Sequence, residues 1–270
     1  MDSIVNRADD FRHLHESGCF VMPNPWDIGS AHALAAMGFK ALATTSAGFA
    51  WSTGRPDNSV GLEPTLSHLR RMAASVSLPV NADFQDGYAI GPENVAANVT
   101  LAAQTGVAGL SIEDFTGDPA EPLFDLGLAV ERVHAARAAI DQSGTGIVLT
   151  ARSEGFVWGR PDIDETTRRL RAYAEAGADC LYAPWITSLD HVAAIVDAVA
   201  PKPVNLLIHT PFTTVAEAAR LGVRRISVGG MLAKTAWRGF LEAAAEIAEH
   251  GTFSRFADLP DLNALLGPDA

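Results

Sequence analysis

The sequence predicts a (β/α)8 barrel, and three observations predict it. Short apolar runs with strand character alternate with helix-compatible segments eight times along the 270 residues. The runs show little period-2 alternation, as expected of strands buried on both faces beneath helices. Three of them end in charge: Leu78–Ala82 leads into Asp83, Val107–Ile112 into Glu113 and Asp114, and Ile147–Ala151 into Arg152. A barrel gathers its active site in this way, from strand ends far apart in the chain.

The elements follow in order. Residues 8–17 are polar and helix-compatible, an expected helix ahead of the barrel. Cys19–Met22 is the first strand, followed by the Ala-rich helix Ile28–Met37, which Gly38 stops. Lys40–Thr45 is the second strand; a long loop then runs to Leu62 and a helix spans Glu63–Ser75. The third strand, Leu78–Ala82, precedes a helix at Pro92–Gln104, and the fourth, Val107–Ile112, one at Leu128–Ile140. The fifth pairing is Ile147–Ala151 with Ile163–Ala176, and the sixth Asp179–Ala183 with Leu189–Ala198. The seventh is Pro203–Ile208 with Val215–Leu221, and the eighth Arg225–Val228 with a long helix, Leu232–Glu249. Gly38, Gly106, Gly177 and Gly222 sit where helices stop before a strand, positions that favour a left-handed cap. Eight such units favour a closed barrel over a doubly wound open sheet. The missing GxGxxG after the first strand counts against the nucleotide-binding version of that alternative. With no internal boundary, residues 1–270 read as one barrel domain with a short helical N-terminal extension and a C-terminal tail, Phe253–Ala270.

A net charge of −12 leaves no basic face for nucleic acid. Cys19 and Cys180 are far apart and make no metal or redox spacing. A reducing cytoplasm is the expected compartment. No run approaches membrane-spanning length, and the N-terminus has no apolar leader.

The charged strand ends point to a divalent metal and an anionic substrate. Asp83 is some ten residues ahead of the following helix, too far to cap it, which favours metal binding. Gln85 shares the face of Asp83 if the segment stays extended; Asp86 then turns away ahead of Gly87. Of Glu113 and Asp114, only one faces the mouth. Hard ions such as Mg²⁺ take carboxylate oxygens and keep several waters. Arg152 suits a substrate carboxylate, with a salt bridge to Glu154 or Glu113 as the alternative. Asn205, inside an apolar strand, binds substrate carboxylate or bridges neighbouring strands. The Thr44–Gly48 stretch offers hydroxyls and amides for an oxyanion, and Asp57 in the loop beyond adds a carboxylate. The Ser227–Gly230 turn occupies a corner that binds phosphate in many barrels, although its glycines also serve a turn. Seven of the eight histidines fall on or beside helices and are expected at the surface; His209, after the seventh strand, is the acid/base candidate.

With these residues in place, the sequence resembles the isocitrate lyase/phosphoenolpyruvate mutase superfamily. The resemblance runs from Asn24-Pro-Trp-Asp27 to Gly229-Gly230. It is most specific at Asn81-Ala-Asp-Phe-Gln-Asp-Gly-Tyr88, Ser111-Ile-Glu-Asp114 and Thr150-Ala-Arg-Ser-Glu154. It implies a (β/α)8 barrel, often with the eighth helix exchanged between subunits of a homodimer or homotetramer. It also implies Mg²⁺, with Mn²⁺ as a substitute, and an enolate derived from a 2-oxo acid. By matching position, Asp83 is the principal metal ligand, Glu113 holds metal-bound water and Arg152 holds the substrate carboxylate. Ser46, with the Ala47 and Gly48 amides, contacts the oxo acid, Asp57 lies beside the metal cluster, and the loop after Asp114 is a lid.

Two departures stand out. The lid, Phe115–Phe124, has no cysteine, lysine or histidine, so cleavage of isocitrate or methylisocitrate by the usual route is not expected. Gln85 stands where relatives carry Asp or Glu. The expected function is a Mg²⁺-dependent lyase that breaks a C–C bond, or decarboxylates, in a small 2-oxo or 2-hydroxy carboxylic acid. The alternatives are P–C bond hydrolysis or mutase chemistry on a phosphonopyruvate-like acid, and a non-catalytic 2-oxo acid binder.

Overall fold

The computed structural model describes residues 2–266, with side chains described from Asn6. Eight parallel strands form one sheet in the order β1-β8-β7-β6-β5-β4-β3-β2. They are β1 (Phe20–Met22), β2 (Leu42–Ala43), β3 (Val80–Asp83), β4 (Gly109–Glu113), β5 (Val148–Arg152), β6 (Cys180–Tyr182), β7 (Val204–Leu207) and β8 (Arg225–Ser227). Helices α1 (Asp2–Leu14), α2 (Ile28–Ala36), α3 (Ser46–Ser52), α4 (Leu62–Ser75), α5 (Pro92–Ala103) and α6 (Leu126–Ser143) alternate with the first strands. They are followed by α7 (Ile163–Glu175), α8 (Leu189–Val199), α9 (Val215–Arg220), α10 (Met231–His250) and α11 (Leu262–Leu265). This is a nearly closed (β/α)8 barrel.

The β1–β8 ladder runs Phe20↔Arg225 to Met22↔Ser227. The seam between β1 and β2 is joined just past the end of β1, where Ala43 N–H donates to the Pro23 carbonyl at 3.0 Å. Asn24 reinforces it: its Nδ2 donates to the Thr44 carbonyl, and its Oδ1 accepts from the Val228 and Gly229 amides at 2.9 Å each. The main apolar core lies between strands and helices, around Val99, Leu110, Ile140, Leu149, Leu170 and Leu181. Side-chain caps begin most helices. Asp27, Asp162, Ser188 and Thr214 each accept an amide from the first turn of α2, α7, α8 and α9.

Several expectations need correction. The N-terminal helix is Asp2–Leu14 rather than 8–17; fully buried Ala8 and Phe11 anchor it to the barrel. The long loop before Leu62 contains α3, which Thr45 caps through Gly48 N–H. Two histidines expected at the surface are interior. His15 packs edge-on against Phe11 and Phe20, and His68 stacks on Phe49 at 3.9 Å. Both lie on or beside helices, but on the inward face. The C-terminal tail contains a short helix, α11, and its residues 267–270 lie outside the described residues.

α10 is unlike the others. Along its 20 residues only Ala233 is buried, while Trp237, Phe240, Leu241 and Ile247 are exposed. Among the described residues, no helix is long and apolar enough to cross a membrane.

Candidate active site

The C-terminal ends of the strands open into a cavity of about 540 Å³. Ser46, Asp57, Asp83, Glu113, Arg152 and Asn205, six of the seven expected site residues, line it. At its centre is a guanidinium held by three carboxylates. Arg152 Nη1 contacts Asp83 Oδ1 at 2.7 Å, Nη2 contacts Glu113 Oε2 at 3.0 Å, and Nε donates to Glu154 Oε1 at 2.9 Å. The Glu113↔Arg152 register across β4 and β5 puts the ion pair on adjacent strands. Burial works against the charge of Arg152, but Glu154, Glu113 and Asp83 outweigh it and hold its pKa above the ordinary value. Burial raises both Glu113 and Glu154 and Arg152 offsets part of each shift, while Glu154 raises Glu113 further and Asp114 raises Glu154.

Asp83 is fixed from the other side by β2 and α3. Its amide donates to Thr44 Oγ1, and its Oδ2 accepts from both the amide and the hydroxyl of Ser46, at 2.9 and 2.8 Å. Asp83 therefore does meet a helix N-terminus, though that of α3 rather than the helix after its own strand. Asp57 also faces the cavity. Burial, and then Asp83, raise its pKa.

Gln85 is the expectation that fails on position. The chain is extended only to Asp83; Gln85 lies in the following turn at φ 47°, so period-2 reasoning does not reach it. It lines a separate small cavity, and its Nε2 donates to Asn58 Oδ1 at 3.0 Å. This pins the loop that carries Asp57. The residue that shares the strand and face of Asp83 is Asn81, which lines the main cavity and whose buried Oδ1 has no partner. Its place two residues before Asp83 was the available signal.

The remaining candidates separate into cavity and frame. Asp114 turns inward, accepting from Tyr173 Oη at 2.6 Å, Arg169 Nη1 at 3.3 Å and Glu154 N–H at 2.8 Å. It anchors the backbone beside Glu154. Asn205 bridges strands β7 and β8: its Oδ1 accepts from Arg225 and its Nδ2 donates to Ser227 Oγ. Because Asn24 already takes the Val228 and Gly229 amides, the phosphate corner is filled by a side chain. His209 lines the cavity beneath a stacked Trp185 at 5.1 Å, and burial lowers its pKa. Trp185 holds φ 67°, an uncommon conformation for so bulky a residue. The lid begins with Phe115 stacked on Trp158 at 4.0 Å, and a bridge joins Phe115 to Leu123. Lys234, from α10, completes the cavity wall near Trp51.

The donors suit a hard divalent ion. With all groups ionised, one guanidinium leaves two of the three clustered carboxylates uncompensated. Among the described residues no three His, Cys, Asp or Glu side chains form a ready-made cage.

The phosphoenolpyruvate phosphomutase family model matches residues 11–248. The crystal structure of a candidate lyase/mutase from Burkholderia cenocepacia J2315 is 44% identical with TM-score 0.95, covering 99% of each chain. The 2-methylisocitrate lyase of Escherichia coli is 33% identical over 180 residues, 64% of this chain and 60% of that protein. The oxaloacetate decarboxylase of Chromohalobacter salexigens is 28% identical over 234 residues, 82% and 78% of the two chains.

Proposed function

The chain belongs to the phosphoenolpyruvate phosphomutase family and is a carbon–carbon lyase of that superfamily, and we propose that it cleaves a small 2-oxo or 2-hydroxy carboxylic acid, with decarboxylation of an oxaloacetate-like acid as the favoured form. The observation that carries this reading is the Asp83–Arg152–Glu113–Glu154 cluster at the cavity.

Asp83 and Glu113 are the residues that would hold Mg²⁺. When bound, the ion supplies Lewis-acid stabilisation of negative charge on the substrate's oxo oxygen. Arg152 orients the substrate carboxylate, and Ser46 keeps Asp83 in place from behind. Glu154 Oε1 is taken by Arg152, which leaves Oε2 to hold a proton, and the raised pKa favours that protonated form. This carboxyl is the donor for the carbon that loses CO₂, a role for which the lid offers no side chain. Loss of CO₂ needs no acid or base on the departing fragment, which is why this form suits a lid without thiol, lysine or histidine.

Pyruvate release from oxaloacetate, methylisocitrate and phosphonopyruvate, each with Mg²⁺ and with excess chelator, tests the reading. Pyruvate from oxaloacetate, lost with chelator, is the expected result. Phosphate released from phosphonopyruvate would replace it with P–C bond chemistry. No release above the metal-only background from any of the three would point to a 2-oxo acid binder.

We also infer a homo-oligomer formed by mutual exchange or packing of α10. The exposed stripe Trp237–Phe240–Leu241 is too apolar for a barrel's outer helix in water. A second copy offers a matching surface, since each chain displays the same apolar stripe on α10. Sedimentation at micromolar concentration is expected to show dimers or tetramers, and Trp237→Glu to shift them toward monomers. A monomeric wild type would remove the inference.

A further inference from the structure

Arg225, the first residue of β8, is a second buried guanidinium and lacks what Arg152 has. It is 1% exposed. Nε donates to Asn205 Oδ1 at 2.8 Å and Nη2 to Thr150 Oγ1 at 2.9 Å, while Nη1 meets His15 Nε2 at 3.2 Å. The Phe11 ring lies 5.9 Å away. All of these partners are neutral. His15 Nδ1 bonds to the Phe11 carbonyl at 2.7 Å, which leaves Nε2 as an acceptor for Arg225 and fixes the tautomer. Burial and the Arg225 charge push the His15 pKa down to about 3, so His15 adds no second charge.

Among the described residues, no carboxylate lies within ion-pair distance of Arg225. The other buried arginines differ. Arg152 has three carboxylates and Arg169 has Asp114 and Glu165. Arg132 donates to the carbonyls of Asp86, Ala89 and Ile90, with the Asp86 and Asp114 charges nearby. An arginine stays charged when buried, and an unpaired buried ion costs several kcal/mol. Of its five N–H groups, three are spent on neutral acceptors, which leaves one on each of Nη1 and Nη2. Arg225 also lines the main cavity, together with Asn81, Ser111, Asn205 and Ser227.

We propose that the floor of the cavity is a binding site for a small monovalent anion, with Arg225 as its charge partner. Two free N–H groups on one guanidinium match the paired oxygens of a carboxylate and accept a halide as well. The site itself stands apart from the lyase reading; that the occupant is the substrate's acid group rests on it.

The test is calorimetric titration of the chelator-treated full chain with chloride, acetate and pyruvate at constant ionic strength. Wild type is expected to bind one anion per chain, with pyruvate and acetate competing. Arg225→Met should weaken binding by roughly tenfold or more. If Arg225→Met does not fold, Arg225→Lys keeps the charge but loses the fork, and should weaken carboxylates more than chloride. Carboxylate binding with chloride excluded would assign the site to the acid group of substrate or product. Equal competition by chloride would assign it to a general small anion. No saturable binding to wild type, or undiminished binding to the variant, overturns the proposal. Anion binding without any pyruvate release would leave the site standing and sink the lyase reading instead.

Discussion

Asp83→Asn lowers turnover of the responding 2-oxo acid by roughly 10³-fold or more, with little change in fold. The substitution keeps the shape and still accepts from Ser46, whose amide and hydroxyl both point at Oδ2. It removes a negative charge beside Arg152 and the leading oxygen donor for the ion. The loss should therefore appear in kcat and in Mg²⁺ affinity, measured by titration calorimetry, with the far-UV dichroism unchanged. Asp83→Ala should behave the same way with a larger cost in stability. Turnover like that of wild type in either variant would remove the metal-site argument, and with it the assignment of this cluster as the reaction centre.

Arg152→Met is expected to unfold the site as well as silence it. Removing one partner of a buried charge cluster costs about 3–5 kcal/mol, because the charges left behind are uncompensated. Here three carboxylates lose their shared cation. For a chain of this size that corresponds to a fall in Tm of roughly ten degrees. Divalent metal restores positive charge at the same place, so Mg²⁺ should raise the Tm of the variant by more than it raises that of wild type. Thermal melts with and without Mg²⁺ check both statements. An Arg152→Met protein as stable as wild type would show that the carboxylates already carry protons and that the ion pairs contribute little.

The strand ends were legible because a barrel writes its site there. Asp83, Glu113 and Arg152 each follow an apolar run, and the structure brings them within hydrogen-bonding distance of one another through Arg152. Ser46 and Asp57 were also placed at the cavity by their positions after β2. Sequence reasoning failed where the backbone stopped being regular. The face expected of Gln85 needs an extended chain, yet it sits in a turn with φ 47°. Asn81 satisfies the same period-2 rule from inside the strand. The helix α3 was hidden in a stretch rich in Ser, Thr, Gly and Pro, where a single Thr45 cap decides the outcome. Arg224 and Arg225 are neighbours in the chain. Period-2 geometry separates the two: Arg224 Nη1 reaches the Gly18 carbonyl at the surface, and Arg225 turns into the barrel.

The seam between β1 and β2 also constrains the order of assembly. Strands β2 to β8 can pair sequentially with their chain neighbours, each closing a modest loop. Seating β1 against β8 is different, because it joins partners as far apart as Gly18 and Arg224, 206 positions along the chain. A closure of that length carries a large entropic cost that is recovered only when the bonds at the join form together. Asn24 makes three of them at once, to Thr44, Val228 and Gly229. Until it does, β1 and β2 are open edges, and a chain waiting at that stage has two sites for pairing with a stranger.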